Sequence, residues 1–174
     1  TLEQPTRKLD AQKTADIIEG AYWMREPGPN AEVVIAYCGT VAPEAIAAVG
    51  RLAEDRRDVG LLAITSPCRL NAGWTEAAKA REDGDMGAMS HIERLLAQVP
   101  SHCPIITVLD GHPATLAWLG AVRGHRTRAL GVDRFGQTGS IDQLYRHFGI
   151  DTRGIIAAAQ SMSMGRPIRY LLAS

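Results

Sequence analysis

The sequence predicts an α/β fold: a three-layer α/β/α sandwich around a mixed sheet of five strands, mostly parallel with one antiparallel strand. Three observations carry this. Apolar, β-rich runs alternate with segments of helical periodicity, and a β-α-β-α-β-α-β order implies a parallel core sheet with helices on both faces. The runs Val33-Val34-Ile35-Ala36-Tyr37 and Val59-Gly60-Leu61-Leu62-Ala63-Ile64 are continuously apolar, as strands buried on both faces are. The turn cluster Glu26-Pro27-Gly28-Pro29-Asn30 separates two strand-like runs. It reads as a hairpin, with an antiparallel strand at 21–26 and a central strand at 32–38.

Size and composition set the frame. With 174 residues the chain has the length of one domain, and 45% hydrophobic against 22% charged residues leaves enough apolar material for a sizeable core. Residues 1–14 read as a linker or arm and 15–174 as the domain. The formal net charge is zero, which argues against a nucleic-acid or membrane-surface partner. The three cysteines, Cys38, Cys68 and Cys103, form no C-x-x-C pair. That spacing points to neither a disulfide framework nor a zinc site and fits a reducing, cytoplasmic compartment. No apolar run approaches the ~18 residues of a membrane span. The sequence opens on Thr1, not on methionine, and reads as a piece of a longer polypeptide or a processed one.

Taken in order, residues 16–24 suit a short helix, but Ala21-Tyr22-Trp23-Met24-Arg25 suits a strand equally well. After the central strand, Pro43 and Glu44 fit the first turn of a helix. Its apolar face repeats at Ala45, Ile46, Val49, Leu52 and Ala53. Val59 to Thr65 is a strand, and residues 66–70 read as the loop that ends it. Residues 71–87 are hard to read. Trp74 to Arg81 suits a helix, and Glu82-Asp83-Gly84-Asp85 a break. Ser90 caps a helix to Val99, with Glu93 three residues on. Pro104 to Leu109 is a strand, Pro113 to Val122 a helix, and Arg126 to Val132 the last strand. The basic run at 123–128 reads as a solvated face or strand edge. Ser140 caps a helix to His147, Asp151 caps another to about Met162, and residues 165–170 read as a surface tail.

In such sheets function gathers at the C-terminal ends of the strands. Those ends are Cys38-Gly39-Thr40, Ser66-Pro67-Cys68, Asp110-Gly111-His112 and Asp133-Arg134-Phe135-Gly136. The chemistry there is sparse. No dinucleotide fingerprint, Walker A loop, nucleophile elbow or H-E-x-x-H occurs. Gly136-Gln137-Thr138-Gly139 leads into a helix and reads either as a phosphate-binding loop or as a plain loop before a capped helix. Gly84-Asp85 lacks the second glycine of a G-D-G metal motif, since Met86 stands there. Cys38 or Cys68 with His112 would make a small Cys/His site. Asp110 and His112 form either an acid/base pair or a helix-capping turn. The other histidines (His91, His102, His125, His147) have no ligand spacing and read as surface or half-buried.

The strand order, together with Asp133, Phe135, Gly136, Thr138, Ser140, Leu144, His147, Phe148 and Asp151, resembles the C-terminal domain of transketolase-like, thiamine-diphosphate-dependent enzymes. The resemblance spans about residues 15–165 and is strongest to the homodimeric pyruvate dehydrogenase type. A transketolase-type parent is the alternative, and a self-contained Cys/His enzyme a second one. The resemblance implies the same mixed five-stranded sheet. It also implies a parent that oxidatively decarboxylates a 2-oxo acid, with thiamine diphosphate and Mg²⁺ held by the two preceding domains at a dimer interface. This domain would then bind no cofactor and be inactive alone. Its implied partners are the preceding domains, a homodimer partner and the acyltransferase subunit of the complex. Asp110, His112, Asp133, Arg134, Phe135 and Gln137 become candidates for an interface or for the approach to the active site. Arg134 and Phe135 either project as an anchor, or Phe135 turns back into the core.

Overall fold

The computed structural model describes residues 10–55 and 57–162; the tail expected at 165–170 lies outside them, as do the first nine residues of the expected arm. The strands are β1 (Ala21–Arg25), β2 (Val33–Cys38), β3 (Val59–Ile64), β4 (Ile105–Leu109) and β5 (Thr127–Leu130). The helices are α1 (Ala11–Glu19), α2 (Ala42–Glu54), α3 (Pro67–Glu82), α4 (His91–Leu96), α5 (Ala114–Ala117), α6 (Ile141–Phe148) and α7 (Thr152–Met162).

The sheet has five strands in the order β1-β3-β2-β4-β5, all parallel except β1. This is the mixed sheet expected, but the antiparallel strand is not made by a hairpin. β1 pairs with β3, not with its sequence neighbour β2. β2 is wholly apolar and takes the centre, with both edges used by β3 and β4. β1 alternates buried Ala21 and Trp23 with half-buried Tyr22 and Met24 and ends on an exposed Arg25, which suits an outer position. The connection between them steps over the start of β3. The Gly28 N–H donates to Asp58 Oδ1 (2.9 Å) and the Glu32 N–H to the Asp58 carbonyl (2.8 Å). Gly60 makes room for this crossing, since a Cβ there would meet Pro27, Trp23 and Val34, each at 3.1 Å.

Alternation along β2 builds two cores. Val33, Ile35 and Tyr37 face one way and pack with α2 and α7; Val34 and Ala36 face the other and pack with α3, α4 and the α5 region. Helices on both faces complete the three layers. Local chemistry sets most helix starts. Ser90 and Ser140 each form a capping box, with Glu93 and Gln143. Asp151 accepts from the Gly154 N–H at 2.8 Å. Glu44, in the first turn of α2, reaches across to accept from the Thr152 N–H (2.6 Å) and hydroxyl, joining the starts of α2 and α7.

Several boundaries differ from expectation. α1 begins at Ala11, capped by Asp10, inside the stretch read as an arm. Residues 67–70 are the first turn of α3, where Pro67 needs no N–H partner. α3 buries only Leu70 and Ala77, and this weak stripe is why its sequence is hard to read. Only residues 114–117 of the helix expected at 113–122 are α-helical; Trp118–Val122 tighten into a 3-10 turn. The last strand is shorter than 126–132. The basic run before it is not uniformly solvated: His125 is buried, its Nδ1–H donating to the Cys103 carbonyl (3.0 Å). Among the described residues no helix is long and apolar enough to cross a membrane.

Candidate functional site

The parallel strands end together, so residues far apart in sequence meet along one edge of the sheet. After β2 the chain turns through Gly39 (φ +81°), and after β4 it reaches Asp110. These two ends touch. The Thr40 hydroxyl donates to Asp110 Oδ2 (2.6 Å) and also shares a hydrogen bond with the Tyr145 hydroxyl of α6 (2.7 Å). A Cβ at Gly39 would stand 2.9 Å from Asp110 Oδ1, in a left-handed conformation that side chains resist. Glycine therefore lets Asp110 lean onto the turn. The result is a polar bridge, Asp110–Thr40–Tyr145, that ties the ends of β2 and β4 to α6.

Asp110 and His112 were expected as an acid/base pair or a capping turn, and the geometry is the turn. His112 Nδ1 accepts from the Ala114 N–H at 3.2 Å, while Asp110 is engaged with Thr40. The proposed Cys/His site does not assemble either. No hydrogen bond joins Cys38 or Cys68 to His112 among the described residues, and Cys68 lies exposed in the first turn of α3. Cys38 is half-buried, and burial, then the nearby Asp110 charge, push its thiol pKa up, away from a reactive thiolate.

Beyond β5, Gly131 to Ser140 form an irregular loop, and residues 133–143 are all exposed. Phe135 is 101% exposed and does not fold back into the core. Arg134 stands beside Asp133 at 3.7 Å, an exposed pair worth little by itself. Gln137 is exposed in the same loop. Between this loop, the end of β5 and α6 lies an open cleft of about 340 Å³, lined by Pro113, Leu130, Asp133, Arg134, His147 and Phe148 among others. At the start of α6 the Ser140 N–H donates to Gln143 Oε1 (3.0 Å) and the Gln143 N–H to Ser140 Oγ (3.3 Å), so two of the helix's leading N–H groups are capped by the chain itself. Among the described residues no group of three or more His, Cys, Asp or Glu side chains is placed to hold a metal ion.

The edge thus gathers Asp110, His112, Asp133, Arg134, Phe135 and Gln137 without a catalytic constellation among them. Thr40 and Tyr145 were not foreseen as partners. They are 105 residues apart, and no local pattern marks a hydroxyl pair formed only by the sheet.

The transketolase-like TK C-terminal domain family matches residues 20–151. The plasmid transketolase of Cupriavidus necator is 32% identical over 154 residues, covering 87% of this chain and 19% of that relative. The chain therefore spans about a fifth of the length of the curated relatives it matches over most of its length. Among solved structures, the transketolase from Leishmania mexicana superposes with a TM-score of 0.60 at 17% identity, covering 92% of this chain and 21% of that one. A split-gene transketolase, solved as an inactive β4 tetramer, gives 0.57 at 14% identity, covering 83% of this chain and 42% of that one. At such identities these two likenesses concern the fold. The curated relatives are transketolases, so the pyruvate dehydrogenase type expected from the sequence lacks support, as do its oxidoreductase activity and acyltransferase partner.

Proposed function

The chain belongs to the family of transketolase-like C-terminal domains, and from that premise we propose that it is the C-terminal domain of a transketolase-type, thiamine-diphosphate-dependent transferase. The transketolase identity of its relatives, matched over 87% of the chain, carries this reading. Thiamine diphosphate and Mg²⁺ are bound by other domains of the parent, and this domain supplies contact surface and architecture. The polar side chains at its sheet edge are consistent with that division. Asp110, Thr40 and Tyr145 bond to one another, and Ser140 and Gln143 cap α6. The parent works as a multidomain or dimeric enzyme, with this domain touching its preceding domains and a second subunit.

Two measurements test the reading. Calorimetric titration of the 174-residue chain with thiamine diphosphate and Mg²⁺ is expected to show no binding. Tight binding would place a cofactor site in this domain and overturn the division of labour. The full-length parent is expected to show transketolase activity and no oxidative decarboxylation of 2-oxo acids. The reverse pattern would restore the pyruvate dehydrogenase alternative.

A further inference from the structure

Between Ala121 and Leu130 one residue is buried, and it is a titratable one, His125. Arg123, Gly124, Arg126 and Arg128 around it are exposed. The segment leads into β5, an edge strand that pairs with β4 alone. Its start is therefore seated through His125. The ring Nδ1–H donates to the Cys103 carbonyl (3.0 Å), just before β4. The His125 N–H donates to the Gly120 carbonyl (2.9 Å), and the His125 carbonyl accepts from the Thr127 hydroxyl (3.3 Å). Gly120 permits this fit, since a Cβ there would stand 2.7 Å from the His125 carbonyl. One residue thus joins the turn at Trp118–Val122, the entry to β4 and the start of β5.

The seat suits a neutral ring. Nδ1–H has its acceptor, but Nε2 is buried with no hydrogen-bond partner among the described residues. Protonated, it would be a charged donor held away from water with nothing to accept from it. The titratable groups packed around it give no relief. The Cys103 thiol stays neutral, pushed up to about 12 by burial and then by the Asp58 charge. Burial lowers the pKa of His125; the Cys103 carbonyl opposes this, and Arg123 lowers it further by repelling a second cation. Arg126 turns its guanidinium to the Met162 carbonyl (3.1 Å), at the end of α7. The turn at Trp118–Val122 carries no titratable side chain. An edge segment with exposed neighbours opens at less cost than the sheet behind it.

We propose that His125 is an acid-operated clasp: its protonation frees residues 123–128 from the start of β4 while the rest of the sheet stays closed. The inference is independent of the transketolase-type reading. In the open form the ring takes its proton near pH ~6.5, in the closed form only at lower pH. Between those values the open form gains up to about tenfold per pH unit as pH falls. Hydrogen exchange of the 174-residue chain, read as protection factors between pH ~7.5 and ~5, tests it. The amides of Ile105, on the Arg126 carbonyl, and of His125, on the Gly120 carbonyl, lose protection by about three- to tenfold per pH unit in that window. Those of β2 and β3 keep theirs. A loss shared equally by all strands overturns the clasp in favour of a global effect, and the absence of any loss overturns it too. His125→Asn keeps a donor near the Nδ1 position and does not titrate, so it abolishes the dependence; a dependence that persists overturns His125 as the trigger. Arg123→Gln, at an exposed position, moves the onset to higher pH by removing the like charge. That variant decides the matter even where the asparagine variant does not fold, since an unmoved onset overturns His125 as the group that titrates.

Discussion

Replacing Thr40 with valine removes a hydroxyl while keeping the shape of the side chain, and so isolates the bridge at the sheet edge. Two hydrogen bonds are lost, one to the Asp110 carboxylate at 2.6 Å and one to the Tyr145 hydroxyl at 2.7 Å. A bond to a charged group contributes about 1.5–3 kcal/mol when well shielded and a neutral one about 0.5–1.5 kcal/mol. Thr40 and Asp110 are exposed, so water competes and the lower ends apply or are undercut. The expected loss is about 1.5 kcal/mol, a fall in Tm of roughly 3–6 °C for a chain of this length. Tyr145→Phe alone removes one bond and costs about 0.5–1 kcal/mol. Once Thr40 is valine the tyrosine hydroxyl has lost this partner, so the double variant is no less stable than Thr40→Val. Chemical denaturation of all four proteins gives a coupling energy of about 0.5–1 kcal/mol. Additive single effects, with no coupling, would refute the bridge as the tie between α6 and the sheet.

Two other perturbations follow from buried groups. The pKa of His125 is lowered, chiefly by burial, with the Cys103 carbonyl opposing and Arg123 assisting. The unfolded imidazole takes its proton near pH ~6.5, the folded one only at lower pH. Between those values the unfolded state binds more protons, and stability falls as pH falls. Denaturation series from pH 8 to 5 should show this slope and His125→Gln should flatten it; an unchanged slope would place its origin elsewhere. Thiol labelling at mildly alkaline pH is expected to modify exposed Cys68 first, Cys38 more slowly and Cys103 last, since burial and then Asp58 push the Cys103 thiol up to about 12. Asp110→Asn removes a charge that raises the Cys38 pKa, so Cys38 labels faster in that variant, though burial still holds it back; no acceleration would contradict the electrostatic contact.

Much of the fold was legible because its signals are local. Continuous apolar runs marked β2, β3 and β4 to within a residue or two, and serines followed three residues on by Glu93 and Gln143 marked two helix starts. What misled was also local. The turn between β1 and β2 looked like a hairpin because Pro27, Gly28 and Asn30 favour reversal, yet reversal of the chain does not decide which strand becomes the neighbour. Competition for the buried centre decided it, and β3 and β4 took both edges of β2. α3 was blurred because a helix that buries two residues carries little periodicity.

The sequence by itself determined the class of fold, the five strands, the capped starts of α4, α6 and α7, and the family resemblance carried by the stretch from Asp133 to Asp151. Each depends on neighbours within a few residues, where backbone sterics and hydrogen-bond geometry act directly. The tertiary structure alone decided that β1 lies beside β3, that Asp110 serves Thr40 and not His112, and that Tyr145 completes the bridge from 105 residues away. It also decided that Phe135 faces solvent. Such choices belong to the packed chain, because they depend on which surfaces are already taken when distant segments meet.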